Sequence, residues 1–195
     1  YQRNAISRGL TECADDDVVM ISDVDEIPRT NVATTEAAKP GLSVLGLRFF
    51  YYFFNCMVTD RLFPGTVIGR YADLPSPQHS RDIAMTKVNL NMLLPVPFDY
   101  YPFRLQSRAM SVLTSLREGR RIRVVPDAGW HFSYLTDVDG IVRKIEAFSH
   151  EEYNKPEYKD PEKIRENLAA GEDIFDRGYE LKFVDVDDTF PDYLR

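Results

Sequence analysis

Three carboxylates, Asp23, Asp25 and Glu26, follow directly on the apolar run Val18-Val19-Met20-Ile21. Two aspartates one residue apart in a turn can share a divalent cation, directly or through water. Mg²⁺ and Mn²⁺ take hard oxygen donors and suit such a place when substrate phosphates complete the shell. In open α/β sheets ligands gather at the carboxyl ends of strands, where loops bring polar groups together. The triplet Asp-Val-Asp recurs at Asp137/Asp139 and at Asp185/Asp187, so the chain carries its own controls. The second copy fits a helix cap and the third a solvated turn in an acidic tail. Only the first combines an apolar strand, a third acid and a following proline, Pro28.

The elements that must hold this turn follow from the pattern. Ile6, Leu10 and Cys13 fall at helical spacing, which predicts a helix over residues 1–13. Val18 to Ile21, between turn signals, reads as a buried strand. A β-rich run extends from Leu42 to Phe54, with a weaker strand over Thr66 to Arg70. Within the run, Phe49-Phe50-Tyr51-Tyr52-Phe53-Phe54 reads as a strand buried on both sides. Residues 71–103 hold five prolines, including Pro75, Pro77 and Pro97, and predict long loops. Ser107 to Leu116 predicts a helix and Arg121 to Val125 a strand. Asp137 or Asp139 can cap a helix with Ile141, Ile145 and Phe148 on one face; Asp160-Pro161 opens another that Gly171 stops. Leu181 to Val184 reads as a last strand. Helices and strands alternate without repeats, so the fold class is α/β.

Composition sets the bounds. The 195 residues suffice for one domain, 1–195, read as a sheet and metal-site part over 1–150 and an acidic helical segment over 151–195. Residues 1–150 carry 17 acids and 17 bases, residues 151–195 carry 14 and 7, so the whole net charge of −7 lies in the tail. That balance lacks the basic face of a nucleic-acid binder. Two cysteines, Cys13 and Cys56, fit neither a disulfide scaffold nor a metal-ligand spacing. No stretch has the length of a membrane span. The chain starts at Tyr1 rather than at a methionine and is read as a fragment.

The segment Asp16-Asp17-Val18-Val19-Met20-Ile21-Ser22-Asp23-Val24-Asp25-Glu26-Ile27-Pro28 resembles the metal-site motif of glycosyltransferase family 17. Ala128-Gly129-Trp130-His131-Phe132-Ser133 is a second match, and Gly140-Ile141, Lys144 and Ser149 continue a looser third. The resemblance implies a GT-A-like (Rossmann-like) nucleotide-sugar transferase whose first βα units are missing from this fragment. It implies inverting transfer of N-acetylglucosamine from UDP-GlcNAc to a glycan hydroxyl, with Mn²⁺ or Mg²⁺ on the donor diphosphate. By the same resemblance Asp25 binds the metal, Asp23 lies near the ribose or a metal-bound water, and His131 is a further metal ligand. The implied partners are a nucleotide-sugar donor and a glycan acceptor.

Inverting transfer needs a base within hydrogen-bond reach of the acceptor hydroxyl and positive charge on the leaving diphosphate. Glu26 and Asp127 are the base candidates; the plainer reading makes Glu26 a structural carboxylate and Asp127 a turn residue after Pro126. Trp130, the only tryptophan, can stack on a sugar or fill the core. Arg117, Arg120, Arg121 and Arg123 form the densest basic cluster; Arg121 and Arg123 are the candidates for contacting the diphosphate, against a solvated face. Tyr51, Tyr52 and residues 97–103 are acceptor-side candidates. Two other functions fit parts of the pattern: a haloacid-dehalogenase-like phosphatase with Asp23 as nucleophile, and a non-catalytic glycan-binding module.

Overall fold

The computed structural model describes residues 3–87, 100–147 and 153–194, and of residues 86–87 and 100–107 the backbone alone. It is a mixed α/β structure. The chain forms two compact units, Tyr1–Arg48 with Arg61–His131, and Phe49–Asp60 with Phe132–Arg195.

The first unit is built on strands in the order β1-β4-β3-β6-β2, with β5 also beside β3. These are β1 (Val18–Ile21), β2 (Glu26–Pro28), β3 (Leu42–Tyr51), β4 (Cys56–Arg70), β5 (Ile122–Val125) and β6 (Gly129–Ser133). β1 runs antiparallel to β4 with Val18 opposite Arg70, and β5 runs parallel to β3 with Leu42 opposite Ile122. β2 is antiparallel to β6. Nearly every residue of β3 is buried because both its faces are covered. Leu42 and Val44 pack with Ile83, Met110, Ile122 and Val124. Leu45 and Leu47, on the alternate face, pack with Ile68 and Ala128 and with Val32 and Ala33 of α1 (Thr30–Ala37). A continuous apolar run is what a strand covered twice requires.

Several sequence expectations are corrected here. The N-terminal segment is a 3₁₀ helix over Arg3–Gly9 with no buried residue, not a helix through Cys13; Asn4, Ser7 and Gly9 are weak helix formers. β1 is not fully buried: only Val19 is enclosed, while Val18 and Met20 are each 49% exposed. β1 pairs with β4 and with no other strand among the described residues. The proline-rich stretch contains α2 (Pro77–Asp82), where Ser76 caps the helix by accepting from His79 N–H and Pro77 takes the first turn. α3 spans Tyr100–Glu118, longer than expected.

In the second unit the aromatic run leaves the strand after Tyr51. Tyr52 turns with φ 66°, and Phe53 and Phe54 are 41% and 42% exposed. The first residues of β4 pair with β7 (Leu181–Phe183), Cys56 opposite Phe183. Burial pushes the Cys56 thiol up to about 11. α4 (Val138–Ala147) buries Ile141 and Ile145, and Asp137 accepts from Gly140 N–H at its start, so Asp137 is the capping aspartate. Phe148 lies outside the described residues. α5 (Pro161–Ala170) has Asp160 as N-cap and Gly171 at φ 69° as C-cap, as its sequence predicts. Asp187 accepts from both N–H and hydroxyl of Thr189 and is a turn residue. Asp173 and Arg177 pair at 2.6 Å, and the guanidinium lies 4.5 Å over both the Phe175 and Tyr179 rings. Burial of Asp173 works against ionisation, but the bonds and charge of Arg177 outweigh it and hold the carboxyl below the usual range. No helix among the described residues is long and apolar enough to cross a membrane.

Candidate functional site

The site lies in the first unit, where the turn after β1 leads into β2. Glu26 N–H donates to the Asp23 carbonyl at 3.1 Å, and Asp23 N–H donates to the Glu26 carboxylate at 3.1 Å, so the turn closes on itself. Val24, between the two aspartates, is fully exposed. Beyond the turn Glu26 stands opposite His131 in the β2–β6 pairing, and Ile27 opposite Trp130. Directly opposed residues share a face and successive ones alternate. The pairing therefore carries the Asp-Glu-Ile-Pro segment onto the Gly-Trp-His segment. Gly129 is what admits β2 so closely: a Cβ there would collide with the Ile27 carbonyl oxygen and lie 2.7 Å from Pro28 Cα.

Asp25 Oδ1 sits 3.4 Å from His131 Nε2. His131 is buried and its ring is stacked on Phe63, centroids 3.8 Å apart and planes within 11°. Asp25 keeps 27% of its side chain accessible. A fixed imidazole nitrogen facing a carboxylate oxygen with an open side is a two-donor set that suits Mn²⁺, which accepts nitrogen and oxygen alike. The third residue named as a metal ligand, Asp23, is engaged elsewhere. Its Oδ2 accepts from Arg3 at 3.1 Å and from Arg81 at 2.9 Å. Among the described residues no three His, Cys, Asp or Glu side chains converge as a ready-made metal cage.

Glu26 is wholly enclosed. Its side chain has no exposed surface and accepts from Arg81 at 2.6 Å, from Thr66 at 3.1 Å and from Ser22 at 3.3 Å. Gly65 leaves it room, since a Cβ there would be 2.8 Å from Glu26 Cδ. Asp127 is committed to two guanidiniums: Arg48 grips both its oxygens, at 2.7 and 3.2 Å, and Arg29 donates at 3.2 Å. Its φ of 52° marks the turn between β5 and β6. Arg29 also lies 4.1 Å over the Trp130 ring, so Asp127 and Trp130 gather on the face opposite to Glu26 and His131. One face of Trp130 is thus covered by Arg29.

The basic cluster is not brought to the acid turn. Arg123 donates to Glu36, Ser43 and the Pro40 carbonyl. Burial of Glu36 opposes its ionisation, and bonds from Lys39, Ser43 and Arg123 overcome this and hold it low. Arg117, Arg120 and Arg121 are exposed, with Arg120 donating to the Asp73 carbonyl. Measured along β5 and β6 from Arg123 to His131, the strand rise of ~3.3 Å per residue gives a separation of roughly 20–25 Å.

Tyr51 and Tyr52 do not face a solvent-borne acceptor, which corrects that expectation. Each is 5% exposed; Arg177 donates to the Tyr51 hydroxyl and the Tyr52 hydroxyl donates to Asp173. Burial pushes both phenols upward. Of the acceptor loop, residues 97–99 lie outside the described residues, and Tyr100 to Phe103 open α3.

Sequence reasoning missed Arg81 and Phe63. Arg81 lies in a stretch taken for loop, and Phe63 carries no motif, so neither gave a signal.

A family model, Glycosyltransferase family 17, matches residues 99–185. The matched span holds Ala128-Gly129-Trp130-His131 together with α4, α5 and β7, and ends well clear of the acid turn. No curated protein and no solved structure matches the chain. The His131 side of the site comes from the matched span and the Asp25 side from the motif read at residues 16–28. Over residues 99–185 the chain is similar to glycosyltransferase family 17.

Proposed function

We propose that the chain is the metal-site portion of an inverting, GT-A-like glycosyltransferase that moves N-acetylglucosamine from UDP-GlcNAc to a glycan hydroxyl. One observation carries this reading: Asp25 and His131, far apart in sequence, meet at 3.4 Å with the carboxylate accessible. Asp25 and His131 would hold Mn²⁺ or Mg²⁺, with Asp23 beside them. When bound, the metal supplies Lewis-acid charge for the departing diphosphate.

The chain's own residues prepare that event. The β2–β6 pairing orients His131, Phe63 fixes its ring plane, and the turn bonds of Glu26 aim Asp25. Glu26 and Asp127 each hold guanidiniums, so their part in this reading is to shape the site. The phosphatase alternative is disfavoured by Asp23, whose Oδ2 accepts from two arginines and is poorly disposed as a nucleophile.

The test is donor hydrolysis and transfer with UDP-GlcNAc in the presence of Mn²⁺. Asp25→Ala is expected to reduce turnover at least 100-fold, and full activity in that variant would falsify the assignment. Transient phosphorylation of Asp23 by an aryl phosphate would assign the phosphatase instead. Glycan affinity that survives a chelator, without turnover, would assign a binding module.

A further inference from the structure

Asp23, Asp25 and Glu26 repel one another, and the structure relieves this with arginine. Arg81, on α2, forks between two of the three: Nη1 donates to Glu26 Oε1 at 2.6 Å and Nη2 to Asp23 Oδ2 at 2.9 Å. Its guanidinium also lies 5.4 Å from the centroid of Phe63, the ring stacked on His131. One side chain therefore touches both ends of the arrangement. It clamps the turn that carries Asp25, and it backs the ring that carries His131. With Arg3 on Asp23 as well, two cations offset two of the three carboxylates, and Asp25 of the same turn meets the imidazole.

We infer that Arg81 is a positioning residue for the Asp25–His131 donor pair, setting its affinity for a divalent cation without touching the cation. The inference rests on the metal reading proposed above. The fork is what matters: a planar guanidinium spans two carboxylates at once, whereas an ammonium is a point charge that serves one. Partners that orient metal ligands typically carry 10–100-fold of the affinity.

The experiment is a titration of the full chain with Mn²⁺ alone, following the loss of the free-ion paramagnetic resonance signal, with thermal unfolding measured in parallel. Arg81→Lys is expected to bind Mn²⁺ about 10–100-fold more weakly than the parent while remaining folded at the assay temperature. Because removal of a buried partner can unfold a protein, the pair Arg81→Gln with Glu26→Gln is measured too; it leaves no buried charge unpaired and is expected to show the same loss. Arg177→Lys, in the second unit, is the control for a merely structural arginine, with a lower unfolding temperature and parental Mn²⁺ affinity expected. Parental affinity in both Arg81 variants, alongside loss in Asp25→Asn, overturns the positioning role and leaves the metal site standing. Parental affinity in Asp25→Asn overturns the metal site, and this inference with it.

Discussion

Asp173 and Asp25 show how differently two carboxylates can be used in one chain. Asp173 is 4% exposed and takes three bonds from Arg177 and one from Tyr52, so its charge is fully compensated by its own unit. Its carboxyl is held below the ordinary value, and a depressed acid stabilises the fold above its unfolded pKa of about 4 and loses that contribution as pH falls through the folded value. Removing one partner of such a buried pair costs about 3–5 kcal/mol. Asp173→Asn is therefore expected to lower chemical-denaturation stability by about that much at pH 7, with the gap to the parent closing below about pH 4. A gap that stays constant down to pH 2 would show that the ion pair is not its source. Asp25, by contrast, meets an imidazole and keeps 27% of its side chain accessible. That difference was legible in part: the Asp-x-Asp spacing and Gly-Trp-His marked Asp25 and His131. Arg81 was not legible, because its two contacts depend on where α2 packs and not on any spacing along the chain.

The shortest elements decide the site, and they are the ones that propensity detects least. β2 has three residues and ends in Pro28, and β6 was visible only as a motif. α1 has no side-chain cap at Arg29 and is rich in threonine; Thr34 and Thr35 hydroxyls bond back to the carbonyls of Thr30 and Asn31, a pattern that weakens helix signals. The long or well-capped elements, β3, α4 and α5, were readable because period and caps agreed. At this scale Gly129 is the critical residue. Gly129→Ala would push backbone against backbone where β2 meets β6, and overpacking of this kind typically costs about 1–3 kcal/mol. The expected result is a lower unfolding temperature together with weakened Mn²⁺ binding, since the strand that carries Glu26 and the one that carries His131 would part. Unchanged Mn²⁺ affinity in this variant would mean that the donor pair does not depend on that pairing.

Across the whole chain, the surplus acids and the chemically suggestive ones are different sets. The excess negative charge falls in residues 151–195, and a cation could be drawn there without any specific site. Thermal shifts separate the two cases. A ligand at 100 times its dissociation constant adds ~2.7 kcal/mol, which for a chain of this size raises the unfolding temperature by about 5–10 °C. Mn²⁺ is expected to produce that shift in the parent and not in Asp25→Asn. A shift that persists in the variant would assign the effect to the acidic tail. The exposed Val24 at the crest of the acid turn has one more consequence. Because its side chain rests on nothing, the spacer between the aspartates is free to drift to almost any residue over evolutionary time, while Gly65 and Gly129 are not. Among relatives of this chain, then, the middle letter of the motif should be the variable one, and two glycines far from it in sequence should change only when the acid turn itself is lost.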